Sequence, residues 1–255
     1  MDPLPSSVLA QLNRLPYTAQ AGDFTEVSAM TGPDWWEPPA RAYSHWLATP
    51  HLAPGAACSL QHYSGRLLSV VVMVWALTGR QMSLRPEHWQ AQVDQHGATL
   101  VVRHQERILL GHVSAAQLGA AVAQHLDPMV EAVRRPSRLT LAAAMGGPAS
   151  SLAAAFGRVY RGVAAVDRAA VARAAHEAQA ALTERAGREL TVLQADDEEP
   201  DLLRQHRTTC CLIRLGHGHG TCETCPRLEF TEQVRQQRER HRERPGVPVT
   251  WAARS

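Results

Sequence analysis

Four of the five cysteines lie in one stretch, Arg207–Arg227, which reads RTTCCLIRLGHGHGTCETCPR and spaces Cys210, Cys211, Cys222 and Cys225 as C-C-x10-C-x2-C. Thiolate is a soft donor that selects zinc, copper(I) or iron–sulfur clusters. Four thiolates satisfy either a [2Fe–2S] or a [4Fe–4S] cluster. The spacing of Cys222 and Cys225 lets one turn aim both sulfurs at one metal. Cys210 and Cys211 are adjacent, and adjacent side chains diverge in most backbone conformations. Bringing both to one centre therefore requires a bent or strained backbone. Gly216, Gly218 and Gly220 allow the intervening loop to fold back. The leading reading is a [2Fe–2S] cluster held by all four cysteines on a protein that passes single electrons.

Two rivals use the same residues. Zinc held by four cysteines usually sits between two C-x2-4-C knuckles, which the adjacent pair fits poorly. His217 and His219 can replace one or both of Cys210 and Cys211 in a mixed site. Zinc would make this a binding or regulatory protein with a structural metal. The Cys222-Glu-Thr-Cys225 segment also has the form of a dithiol redox motif, but no strand precedes it and no βαβ pattern surrounds it.

The spacing differs from the bacterial and plant-type ferredoxin runs. It resembles the C-terminal signature of the FhuF family of siderophore ferric iron reductases. In that family a C-C-x10-C-x2-C motif follows an Arg-containing run and ends in Cys-Pro. Arg207-Thr-Thr-Cys210-Cys211-Leu212 and Cys222-Glu-Thr-Cys225-Pro226 reproduce it. Ile213 stands where many members carry an aromatic residue. The resemblance implies a [2Fe–2S] cluster on Cys210, Cys211, Cys222 and Cys225, a cytoplasmic location and ferric siderophores as substrates, the hydroxamate type foremost. Arg207 and Arg214 are candidates for positive charge beside the cluster.

Other chemistries lack their motifs. The chain has no Lys for a P-loop, no H-E-x-x-H and no G-x-S-x-G, and Gly216–Gly220 lacks the third glycine of a dinucleotide fingerprint. Electrons are therefore expected from an external donor such as a ferredoxin, a flavodoxin or a reductase. A formal net charge of +2 gives no argument for nucleic acid or an anionic membrane. The longest apolar run, Leu67–Leu77, is short of the roughly 20 residues that span a bilayer, and the N-terminus lacks the pattern of a secretory signal. A cytoplasmic protein without stable membrane insertion is expected, where clustered cysteines serve as ligands more often than as disulfides.

The elements that position the cysteines are read from periodicity. The expected fold is an α-rich α+β: a helical core with a small antiparallel β element and a C-terminal cysteine-rich segment. Residues 1–200 form the helical domain, 201–230 the cluster-binding segment and 231–255 a charged tail. Trp35 and Trp36 either clamp a Pro-rich loop onto the core or form an aromatic wall. Residues 56–78 form a central helix, with Leu67, Val70, Val71, Val74 and Leu77 at helical spacing and Gly79 as its C-cap. Cys58, near its start, reads as a small buried hydrophobe. Residues 98–103 and 107–113 suggest an antiparallel hairpin. Ser114 caps a helix that stops before Pro128, and a further helical segment over 128–145 is interrupted by Pro136. Gly146-Gly147-Pro148 breaks the chain. Residues 149–186 form one helix, or two with a bend near Gly157 or Gly162. Leu190–Leu193 is a short strand, 196–200 a solvated acidic loop, and 231–244 a frayed, solvated helix.

Overall fold

The computed structural model describes residues 2–12, 23–106, 108–244 and 246–253. Its centre is helix α3 (Leu52–Thr78), which begins at Leu52 rather than Ala56 and ends at Gly79 in the left-handed conformation. Leu60, Leu67, Leu68, Val71, Val74 and Trp75 are all buried, so the helix is apolar around most of its girth and must sit inside other layers. Helices α2 (Glu37–Trp46), α4 (Ala115–Ser137) and α5 (Leu141–Gly162) pack around it, and α6 (Arg168–Ala186) covers α4 and α5. The short α1 (Ser6–Leu12) also touches α3. Among the described residues no helix is long and apolar enough to cross a membrane. Trp36 is 1% exposed and its Nε1–H donates to the Met30 carbonyl at 2.7 Å, so the tryptophan pair clamps its loop onto the core.

The β structure is small and antiparallel, as expected, but pairs differently. Strands β1 (Asp2–Pro3), β6 (Ile108–His112) and β3 (Arg80–Met82) form one sheet in that order. Strands β2 (Thr25–Glu26), β4 (Trp89–Val93) and β5 (Thr99–His104) form another. The expected hairpin over 98–113 is therefore corrected: β5 and β6 lie in different sheets, and Arg107 between them is outside the described residues. The hairpin is β4–β5, with Trp89 opposite His104. Its turn is built by Asp94, whose Oδ1 accepts from the amides of His96 and Ala98 at 2.9 Å each, and by Gly97 at φ +80°. That is ordinary Asx-turn chemistry.

Two expected breaks are also absent. Helix α4 runs through Pro128, where a stop was expected, and ends at Ser137, so the expected interruption at Pro136 is present one residue later. Each proline leaves a carbonyl without its helical donor, but Val122, Leu126, Met129, Val130 and Val133 bury a continuous face, and that burial outweighs the local loss. Helix α5 runs through Gly146-Gly147-Pro148. The expected bend near Gly162 is present, where α5 ends before a 3-10 turn at Ala165–Asp167.

The C-terminal part departs furthest from expectation. Strands β7 (Thr191–Ala195) and β8 (Leu203–Arg207) form a hairpin across the acidic loop, with Thr191 opposite Arg207. The loop is not simply solvated. The Asp196 side chain has no exposure and pairs with Arg204 Nε and Arg238 Nε at 3.0 Å each. Nor does the tail float: α7 (Phe230–Glu243) docks on this loop and on β8. Arg242 pairs with Glu199 at 2.6 Å and His241 with Asp201 at 2.9 Å. Gln237 donates to the Gln205 carbonyl and accepts from its amide at 3.0 Å each. Beyond α7 the chain returns to the core, where the Val249 amide donates to the Gly162 carbonyl and Trp251 meets Trp75 edge-on at 5.3 Å.

Burial alone would raise the Asp196 carboxyl. The amides of Glu199 and Glu198 and the Arg238 guanidinium outweigh it and hold the group below its ordinary value. The stabilisation is thus present above about pH 4, where an unfolded aspartate ionises, and is lost as pH falls through the depressed folded value. Asp196→Asn should leave Arg204 and Arg238 without their shared partner and cost about 3 kcal/mol. Hydrogen exchange of the α7 amides at neutral pH would register this as faster exchange.

Candidate metal centre

The cysteine segment leaves β8 at Arg207 and crosses the faces of α5 and α3. The Thr208 amide donates to the Leu190 carbonyl at 3.0 Å and its hydroxyl to the Glu189 carbonyl at 2.6 Å. Thr209 then passes so close to α5 that a Cβ on Gly146 would lie 1.8 Å from its Oγ1. Next to it, a Cβ on Gly147 would lie 2.9 Å from the Gln61 Cβ of α3. The glycines therefore serve approach, not helix breaking. Gly146→Ala should push Thr209, and with it Cys210, off the helix. Overpacking of this kind costs about 1–3 kcal/mol, and a lowered thermal midpoint would show it.

The adjacent cysteines are followed by the strained backbone that their spacing demands. Leu212 has φ +65°, in the left-handed region that disfavours a branched side chain. Its amide donates to Cys210 Sγ at 3.4 Å. A 3-10 turn, Ile213–Leu215, packs Ile213 against Tyr43, Leu47 and Cys58. The His217 amide donates to the Leu47 carbonyl at 3.0 Å, and a Cβ on Gly216 would lie 2.5 Å from that same oxygen. The loop is thus pinned to the end of α2. On its return, the Cys225 amide donates to the Cys222 carbonyl at 2.9 Å. Gln233 of α7 donates to the carbonyls of Cys225 and Leu228 at 2.9 Å each, and its Oε1 lies 2.7 Å from His206 Nδ1.

These contacts bring the thiols together. Cys211 Sγ lies 3.9 Å from Cys222 Sγ, the neighbouring thiols of Cys210 and Cys211 shift each other's ionisation, and Cys225 sits one turn beyond Cys222. Cys211 and Cys225 are buried; Cys210 and Cys222 are half-buried. Cys58 belongs to the same neighbourhood, its Sγ 3.9 Å from the Cys211 carbonyl oxygen. Cys222 is the thiol most easily ionised: the hydrogen bond from Cys211 lowers it to about 7, against burial and with help from the charge of Arg207. Cys210 is raised, first by its hydrogen bond to Cys211 and then by burial. For Cys211 the hydrogen bond from Cys210 lowers the value, but that to Cys222 and burial prevail and raise it.

Around these sulfurs the described residues carry orphaned polar atoms. Arg207 is 1% exposed, and its Nη1 donates to Gln61 Oε1 at 3.1 Å, while its Nε and Nη2 have no partner. Thr209 Oγ1 and Arg214 Nε are likewise buried without one. Buried donors left unmade are costly, and a buried unpaired cation more so. A polyanionic, sulfur-rich group held by the four thiols would supply both the acceptors and the countercharge, so the residues fit a thiolate-ligated cluster. They fit a single zinc less well. Bonds of about 2.3 Å to one tetrahedral zinc place its sulfurs roughly 3.8 Å apart. Among the described residues, however, the three ligating side chains that fall within 4.8 Å of one another are Glu199, Asp201 and His241. No three of the four thiols fall within that distance of one another. The Glu199–Asp201–His241 group is an ion-pair lattice closed by Arg242 and Arg161.

His219 packs on the exposed Trp46 ring at 4.8 Å, and neither His217 nor His219 joins a group of three ligating side chains. Arg207 is not a surface arginine, and Arg214 lies beside Cys210, where its hydrogen bond lowers that thiol. Gln61, Gly146, Gln233 and Cys58 were not legible as parts of the centre. Compared with protein-family models and with curated proteins, the chain matches none.

Proposed function

We propose that the chain is a one-electron ferric reductase that binds a [2Fe–2S] cluster through Cys210, Cys211, Cys222 and Cys225 and releases iron from ferric siderophores. The single observation that carries this reading is the buried Arg207, with two unpartnered guanidinium nitrogens and a charge that acts on the Cys211 and Cys222 thiols. A [2Fe–2S] group supplies single electrons, and adding one to chelated Fe(III) gives Fe(II), which hard anionic oxygen donors hold far less tightly. The chain's own residues do the rest. Leu212 N–H donates to the Cys210 sulfur, and such second-shell donors tune a ligand's basicity and the potential of the metal. Arg207 favours the more negative, reduced form. Gln233 and the glycine contacts on α5 fix the loop, and the buried positions of Cys211 and Cys225 keep water away from half of the ligand set. The electron enters from an external carrier, such as a ferredoxin, a flavodoxin or a reductase.

Anaerobically purified protein should be red-brown and hold iron and acid-labile sulfide in equal amounts. A colourless protein with stoichiometric zinc would overturn the reading in favour of a structural metal. After reduction with dithionite and removal of excess, anaerobic addition of a ferric siderophore should restore the oxidised spectrum and yield Fe(II) to a ferrous-specific chelator. If neither happens, the reductase assignment fails.

A further inference from the structure

Two of the large apolar side chains left exposed belong to the cysteine loop and to the helix it is pinned on. Trp46, the last residue of α2, is 46% exposed, and Leu215, in the 3-10 turn of the loop, is 40% exposed. Their two segments are joined at the Leu47 carbonyl, which the His217 amide and Gly216 approach. Trp46 is held from two sides: the Tyr43 ring meets it edge-on at 5.3 Å, and the His219 ring packs on it at 4.8 Å. Contacts run inward from there. Tyr43 packs with Cys58, whose Sγ lies 3.9 Å from the Cys211 carbonyl oxygen. Neither segment carries a carboxylate, since no Asp or Glu occurs between Glu37 and Glu87 or between Asp201 and Glu223. The ionisable groups next to the two anchors are His45, Arg214, His217 and His219, none of which can become negative. Arg41, farther back on α2, is already paired with Glu37. Asp94, the carboxylate whose charge reaches Tyr43, is turned into its own hairpin, where it accepts from the amides of His96 and Ala98. The exposed ring of Phe230 is placed differently, in a groove with Asp197, Glu198 and Glu239.

We propose that this face docks the electron carrier, with Trp46 as its anchor, and that the carrier is a small protein with a carboxylate-rich surface around its redox group. The inference rests on the reductase reading above and names the kind of donor that serves it. Tryptophan is among the side chains that most often anchor a protein interface. A ring already clamped by Tyr43 and His219 also loses little freedom on binding. Like charges set against each other across an interface are costly. A face without carboxylates therefore admits an acidic partner, whereas the groove at Phe230 repels one with its own carboxylates. Electron transfer needs closeness, and here the cysteine loop is itself part of the docking face. The carrier is oxidised by one electron, the group held by the four thiols is reduced by one, and no covalent bond is made or broken.

The probes are a plant-type ferredoxin and a flavodoxin, both acidic one-electron carriers. Titration calorimetry of each oxidised probe into the full, anaerobically purified and oxidised chain measures docking without electron transfer. At least one should bind, and rising salt should weaken it. Trp46→Ala should raise that Kd at least tenfold, as loss of an anchoring tryptophan does. Leu215→Ser should raise it severalfold. Both variants should keep the parental visible spectrum, the sign that the cysteine loop is intact. Stopped-flow reduction by the pre-reduced probe, below saturation, should slow in step with the loss of affinity. Dithionite, which needs no docking surface, should reduce both variants at the parental rate. Failure of both probes to bind, parental affinity in both variants, or binding indifferent to salt would each overturn the inference. So would self-association of the chain that Trp46→Ala abolishes, which would make the face a contact between copies. The reductase reading fails separately. A probe that docks and reduces the protein, followed by no reoxidation when a ferric siderophore is added, would keep the docking face and remove that function.

Discussion

Cys211→Ala is expected to abolish the visible chromophore and the bound iron while leaving the far-ultraviolet circular dichroism near that of the parent. Cys211 is buried and 3.9 Å from Cys222, and it follows Cys210 directly in the chain, so it is the link between the early pair and the late pair. Removing it separates the remaining sulfurs into two sets. The helical core does not depend on it: Leu60, Leu67, Val71 and Phe156 lie in the main apolar cluster, which does not include this loop's cysteines. Cys225→Ala should behave in the same way. Cys58→Ala is the control. Its thiol touches the Cys211 carbonyl rather than the thiol group, so the variant should keep its colour. An absorption spectrum with iron and sulfide assays decides the matter, and a coloured Cys211→Ala protein would remove the basis of the proposed function.

Arg207→Met should act in two directions. A unit charge a few ångströms from a redox centre contributes about 2–4 kcal/mol at an effective dielectric near 20. For one electron that is on the order of 100 mV. Losing the cation disfavours the more negative, reduced form, so the midpoint potential should fall by about that amount, as read by a spectroelectrochemical titration. In protein stripped of metal the same change should raise stability. Replacing a buried charge by an apolar side chain of similar volume often stabilises by about 1–4 kcal/mol, and Arg207 is among the largest fully buried side chains of the chain. A potential that does not move would show that Arg207 serves packing alone.

The cysteine constellation and the central helix were legible in the sequence because each is a local pattern. The C-C-x10-C-x2-C spacing is read within one loop, and α3 announces itself by apolar residues at helical period with Gly79 behind them. What escaped depends on partners far away in the chain. Pro128 and Gly146-Gly147 are breakers by local propensity, yet both sit inside helices because the surrounding faces are buried. Gly146 has its meaning only opposite Thr209. The strand partners of 99–104 were open to reading, since Asp94 and Gly97 carry the turn signal. The burial of Arg207 was not: an arginine that ends a strand reads the same whether it meets solvent or thiols. The α7 helix escaped for a related reason. Its inward face is Gln233 and Gln237, and no apolar stripe marks it.

That polar face has a thermodynamic corollary. Surfaces joined by hydrogen bonds and ion pairs expose little hydrocarbon when they part, so detachment of α7 from the β7–β8 hairpin should carry almost no heat-capacity increment. Warming would then loosen this unit gradually, without the curvature that governs the apolar core. Ionic strength, which weakens the exposed members of the Arg238 and Arg242 pairs, would be the sharper lever on how firmly the Cys225 turn is held.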